Sequence, residues 1–134
     1  MESLIDAAAD ARLRAYAPYS NFKVGAALYA GSGRVCRGAN VENVSLGLTV
    51  CAERACVTAA VEGGDTRFVR LAIVTDSQKP AVPCGACRQV LAEFGTDLEI
   101  VAATVSGDRA RYRLGDLIPL PNQGILETFH VEHV

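Results

Sequence analysis

Two short cysteine-bearing segments, Thr49-Val50-Cys51-Ala52-Glu53-Arg54 and Pro83-Cys84-Gly85-Ala86-Cys87-Arg88-Gln89, constrain the folds open to this chain more than any other feature. Each opens a stretch with helical patterning. Cys51 to Glu62 is rich in alanine and stops at Gly63-Gly64; from Cys84 to Phe94, residues Cys87, Val90, Leu91 and Phe94 recur at helical spacing before Gly95. Cys84 and Cys87 stand one turn apart on one helix face, so both sulfurs can reach a single tetrahedral ion, with Cys51 arriving from another helix. The fold must then bring two helix N-termini to one point. The positive end of each helix dipole favours thiolates there, and three thiolates suit one zinc ion per chain with a fourth position left for water. Three thiolates overcompensate the charge of Zn2+, and Arg54 is the cation expected to donate to sulfur and restore the balance.

Between and around these segments the pattern alternates. Ser3 with Asp6 is a capping signal, and Leu4, Ala8, Ala11 and Ala15 form one stripe of a helix expected from Leu4 to Tyr16. Phe22 to Tyr29 and Arg34 to Arg37 read as strands joined through Gly31-Ser32-Gly33. Phe68 to Thr75 reads as a buried strand, Leu98 to Thr104 and Arg109 to Leu114 as two more, and Leu114 to Ile118 as a turn of helix before Pro119. With 134 residues, 50% of them hydrophobic, the expectation is one α/β layered domain over residues 1–134. So high an apolar share in so short a chain also points to burial between subunits.

Charge and cysteine usage narrow the classes of partner. The net charge is −2 and the 13 basic residues are scattered, which argues against nucleic acid. Arg109, Arg111 and Arg113 alternate with Ala110 and Tyr112, the pattern of a solvated edge strand. Met1 to Asp10 carries acids and no basic leader pattern, and Val24 to Ala30 is far shorter than the ~20 apolar residues that span a bilayer. A protein without membrane segments, cytoplasmic, is expected. Five cysteines, unevenly spaced, do not suggest a disulfide framework.

Cys84-x-x-Cys87 alone would serve equally well in a closed four-thiolate zinc site completed by Cys36 or Cys56. Two features argue for chemistry instead. Glu53 is a charge at the start of an otherwise small and apolar helix, and Pro83 precedes Cys84; together with the cysteines they match the Cys-x-Glu and Pro-Cys-x-x-Cys signature of zinc deaminases. Cys36 and Cys56 are read as small core residues. In that signature Glu53 is the acid-base group: it takes a proton from water, delivers it to ring N3 of a cytosine, and protonates the departing amine.

The stretches Pro18-Tyr19-Ser20-Asn21-Phe22-Lys23-Val24-Gly25-Ala26-Ala27-Leu28, Gly38-Ala39-Asn40-Val41-Glu42-Asn43, Cys51-Ala52-Glu53-Arg54 and Pro83 to Gln89 resemble the small homotetrameric zinc-dependent cytidine deaminases, from about Tyr16 to Phe94. The resemblance implies a three-layer α/β/α domain with a five-stranded mixed sheet, a homotetramer with active sites at subunit contacts, and hydrolysis of cytidine or deoxycytidine to uridine or deoxyuridine plus ammonia, as in pyrimidine salvage. It also implies that Phe22 packs on the pyrimidine and that Asn40 and Glu42 hydrogen-bond ribose hydroxyls. By local pattern alone Phe22 is strand core, and Asn40 and Glu42 are loop polars. Leu46 stands where the family usually carries tyrosine, Val82 where serine often precedes Pro-Cys, and the tail His130 to Val134 does not match; His130 and His133 are given no role. Two other functions compete: deamination of a modified cytosine nucleoside or related aminopyrimidine at the same zinc site, as in the similar blasticidin deaminases, and a nonenzymatic zinc-stabilised module.

Overall fold

The first helix, α1 (Glu2–Arg12), turns Leu4, Ile5, Ala8 and Ala11 to the interior as one stripe. The computed structural model describes residues 2–122. Two expectations for α1 are corrected. The helix begins at Glu2, so Ser3 lies inside it rather than capping it, and it ends at Arg12 rather than Tyr16. Tyr16 is taken by tertiary pairing: its N–H donates to Asn40 O at 2.9 Å and its carbonyl accepts from Glu42 N at 2.9 Å. A residue committed to a chain distant in sequence cannot also close the i to i−4 helical bond.

Strands β1 (Val24–Ala30) and β2 (Val35–Ala39) form the expected hairpin, with Gly33 in the left-handed region at φ 93°. Strands β3 (Phe68–Thr75), β4 (Glu99–Thr104) and β5 (Arg109–Arg113) complete a five-stranded sheet ordered β2-β1-β3-β4-β5. The β3–β4 pair is parallel and the others antiparallel, so the sheet is mixed. Phe22 falls outside β1 and is 41% exposed, which corrects the strand-core reading of that residue. The reason lies in Asn40, whose side chain bonds the main chain on both sides of Lys23, together with the left-handed conformation of Asn21 at φ 57°. Residues Leu114–Asp116 form a 3-10 turn, shorter than the helical turn expected to Ile118.

Helices α2 (Ala52–Glu62) and α3 (Gly85–Ala92) cover the sheet face opposite α1, which gives the three layers. Side-chain alternation along the strands divides the core. Leu28, Leu71, Ile73 and Ile100 point to α2 and α3, whereas Ala27, Ala72, Val74 and Val101 point to α1. Small residues on the α1 side let that helix lie close. Gly25 makes the approach possible, since a Cβ there would stand 2.0 Å from Ala8 O. Gly38 does the same for α2: a Cβ would stand 2.4 Å from Ala52 O, at the end of the helix that carries Cys51. β5 is an edge strand with Arg109, Arg111 and Arg113 exposed, as its alternation suggested; Arg109 pairs with Glu2 at 2.6 Å and Arg111 with Glu99 at 3.7 Å. Among the described residues no helix is long and apolar enough to cross a membrane. His130 and His133 lie outside the described residues.

Candidate metal and catalytic site

The N-termini of α2 and α3 meet at one end of the sheet. Cys51 is the residue that starts α2 and Cys84 the one that starts α3, both in extended conformation, and Cys87 lies in the first turn of α3. The three sulfurs all lie within 4.8 Å of one another, and Cys84 Sγ and Cys87 Sγ are 3.5 Å apart. Among the described residues this is the one group of histidine, cysteine and carboxylate ligand atoms close enough to share an ion. Helix-start placement gives main-chain N–H groups to the Cys84 sulfur. Burial pushes that thiol up, but the Cys87 N–H, the Cys87 and Cys51 thiols and the Ala86 N–H together hold it below its ordinary value. Cys87 is pushed the other way, by burial first and then by the charges of Glu53 and Cys51. A divalent ion would overrule that difference, since a coordinating thiol is deprotonated outright.

Arg54 stands where the sequence placed it. Its Nη2 donates to Cys51 Sγ at 3.3 Å and to Thr49 O at 3.1 Å. The sulfur in turn raises the guanidinium's pKa. Glu53, only 6% exposed, is held above the ordinary carboxylate range by burial; its own main-chain N–H, the Cys87 thiol and the Arg54 charge pull it partly back. A carboxyl group raised in this way, bonded to the Cys87 thiol, is suited to both taking and giving a proton.

In front of the sulfurs lies a cavity of about 240 Å³ whose lining includes Phe22, Asn40, Cys51, Glu53, Val82 and Cys84. Phe22 and Asn40 thus come to the site as expected. The Asn40 side chain is already in use, accepting from Val24 N at 2.9 Å and donating to Phe22 O at 2.9 Å; one N–H and one lone pair remain for a ligand. Glu42 is not part of the lining. Its Oε1 accepts from Tyr19 N at 3.0 Å and Ser20 N at 3.1 Å, and its Oε2 pairs with Ser20 Oγ. The Ser20 hydroxyl bond, more than the main-chain bonds, keeps Glu42 below the ordinary carboxylate range. Two hydroxyl-bearing lining residues were missed from the sequence, Thr49 and Thr75. Thr75 had a usable signal: it ends a strand beside a parallel neighbour, where open sheets bind ligands.

The family model for the cytidine and deoxycytidylate deaminase zinc-binding region matches residues 1–104. The chain belongs to this family. It is 45% identical to a cytidine deaminase of Halalkalibacterium halodurans over 88% of this chain and 90% of the relative, and 49% identical to one of Mycobacterium tuberculosis over 84% and 81%. The crystal structure of a cytidine deaminase from Burkholderia pseudomallei superposes with a TM-score of 0.86 at 48% identity, covering 89% of this chain and 96% of that one.

The residues present fit the zinc of the deaminase family. Three converging sulfurs and a guanidinium bonded to one of them form a soft, charge-compensated donor set, and among the described residues no fourth sulfur closes it. Cys56, fully buried, and Cys36 lie in the core between the sheet and α2, as their reading as core residues required. Burial raises the Cys56 thiol, and its sulfur is not one of the three that converge. Leu46 lies in an exposed 3-10 turn, Leu46–Leu48, outside the cavity lining, whereas Val82 is part of that lining.

Proposed function

We propose that the chain catalyses the hydrolytic deamination of cytidine and deoxycytidine, giving uridine or deoxyuridine and ammonia, with one zinc ion per chain held by Cys51, Cys84 and Cys87. The observation that carries this is Glu53: a buried carboxyl with raised pKa at the edge of a small cavity, beside three sulfurs that leave room for a nucleophile. The relatives named cytidine deaminases, at 45% and 49% identity, support the same reading. Bound zinc supplies the Lewis acidity that makes water nucleophilic near neutral pH. Glu53 takes a proton from water and passes it to ring N3 as the hydroxyl adds to C4; it then takes the proton of the new C4 hydroxyl and delivers it to the amine as the C4–N bond breaks, which leaves the C4 carbonyl and ammonia. The Phe22 ring packs on the base, Asn40 uses its remaining polar sites on the ribose, and Glu42 accepts from a ribose hydroxyl through its remaining lone pair. Arg54 keeps the thiolate charge compensated. The enzyme acts as a single-domain subunit of a cytoplasmic homotetramer.

Ultraviolet monitoring of purified zinc-loaded protein with cytidine, deoxycytidine and a panel of modified aminopyrimidine nucleosides tests the proposal. Loss of the cytosine band with one ammonia released per nucleoside is the expected result. Turnover confined to a modified nucleoside, or zinc retention with no turnover of any, would overturn it.

A further inference from the structure

The segment from Asn40 to Glu42 is extended and held on both edges, by Tyr16 on one side and by Val50 on the other, where Val41 and Val50 exchange two main-chain bonds of 2.9 Å. Side chains two apart on extended chain point the same way. Asn40 and Glu42 therefore both reach the Tyr19-to-Val24 loop, and they grip it at its two ends: Asn40 at Phe22 and Val24, Glu42 at Tyr19 and Ser20. Ser20 joins the grips. Its hydroxyl donates to Glu42 Oε2 and accepts from Phe22 N at 3.0 Å. Between them Asn21 takes the left-handed conformation, its N–H bonded to Ala17 O at 3.0 Å. Phe22, which ends this turn, lines the cavity with Glu53 and Cys51.

We propose that Ser20 is a positioning residue, one hydroxyl that locks the Glu42 carboxylate to the main chain of Phe22 and so sets the Phe22 ring at the cavity. Among the described residues no neighbouring group replaces it: Glu42 can hold Tyr19 and Ser20 through their main chain, but there only the Ser20 hydroxyl passes that hold on to Phe22. The side chain is exposed, so its removal leaves no core cavity. The proposal takes from the deaminase reading only that Phe22 contacts the base.

Two measurements on the full-length, zinc-loaded chain test it. The first is amide hydrogen exchange. In Ser20→Ala the Phe22 amide is expected to exchange about tenfold faster, with the β3 amides unchanged and Ser20→Thr close to the starting protein. The second is the kcat/KM for cytidine around the double-mutant cycle of Ser20→Ala and Phe22→Ala. Ser20→Ala alone is expected to lower it about tenfold, mostly through KM, with Ser20→Thr restoring it; in the Phe22→Ala background the same change is expected to cost less than about threefold. An unchanged Phe22 exchange rate, or losses that multiply independently, would overturn the positioning role. Should Ser20→Ala not fold, Glu42→Gln replaces it in the exchange measurement, which needs no nucleoside, since the amide keeps an acceptor for the two main-chain donors and weakens the hydroxyl bond. If the unsubstituted chain leaves cytidine untouched, the deaminase reading fails, and the exchange result still decides the role of Ser20.

Discussion

Glu53 is the residue whose environment makes least sense without chemistry. A carboxylate in the first turn of a helix is favoured by the dipole, but burial at 6% exposure outweighs that and raises its pKa. An amide of the same shape removes the proton shuttle and keeps the packing. Glu53→Gln is therefore expected to lower kcat by about 10²–10⁴-fold with zinc content and melting temperature preserved; metal analysis and cytidine turnover on one preparation check this. The sulfurs divide as sharply. Cys84→Ala is expected to lose the metal and Cys56→Ala to keep it, because Cys56 sits in the core and outside the group of three converging thiols; zinc per chain by atomic spectroscopy decides between them. Glu53 and the three cysteines were legible in the sequence because their types and short spacing are themselves the signal. Ser20 was not, since its role depends on Glu42, which no local pattern couples to it.

At the scale of elements, the site depends on how closely α2 lies on the β-hairpin. Gly38 pairs with Ala26 across the hairpin, and its missing Cβ is the space that Ala52 O and Cys56 N occupy. A methyl group there meets main chain, which cannot swing aside, so α2 must lift and carry Cys51 with it. Gly38→Ala is expected to cost about 1–3 kcal/mol of stability and to weaken zinc retention, to be measured by denaturant unfolding and by competition with a chelator. The same change at Gly33, where nothing lies within 4 Å, strains a turn without moving the site. Helix α1 shows the reverse limit on local reading. Its apolar stripe continues past Arg12 to Ala15, which is buried, yet the helix stops because Tyr16 pairs with the strand-like segment at Asn40.

On the scale of the whole molecule, the surface near the cavity carries an unusual run of exposed apolar side chains: Val41, Val44, Leu46, Leu48 and Val50, with Leu46 75% exposed. Such a loop next to a binding site is what an assembly with sites at subunit contacts would cover. The purified chain of 14.1 kDa is expected to sediment as a tetramer, and Leu46→Asp with Leu48→Asp to shift it to smaller species with reduced cytidine turnover; sedimentation velocity and the assay read the two effects. The sequence by itself determined which three cysteines come together and that Glu53 lies beside them, the five strands and the helices that carry the cysteines, because cysteine spacing, glycine stops and apolar periodicity are local signals. Only the tertiary structure decided the strand order β2-β1-β3-β4-β5, the early end of α1, and the grip of Asn40 and Glu42 on the loop before β1. Each of these is a hydrogen-bonding choice between segments apart in the chain, and no short window of sequence contains both partners.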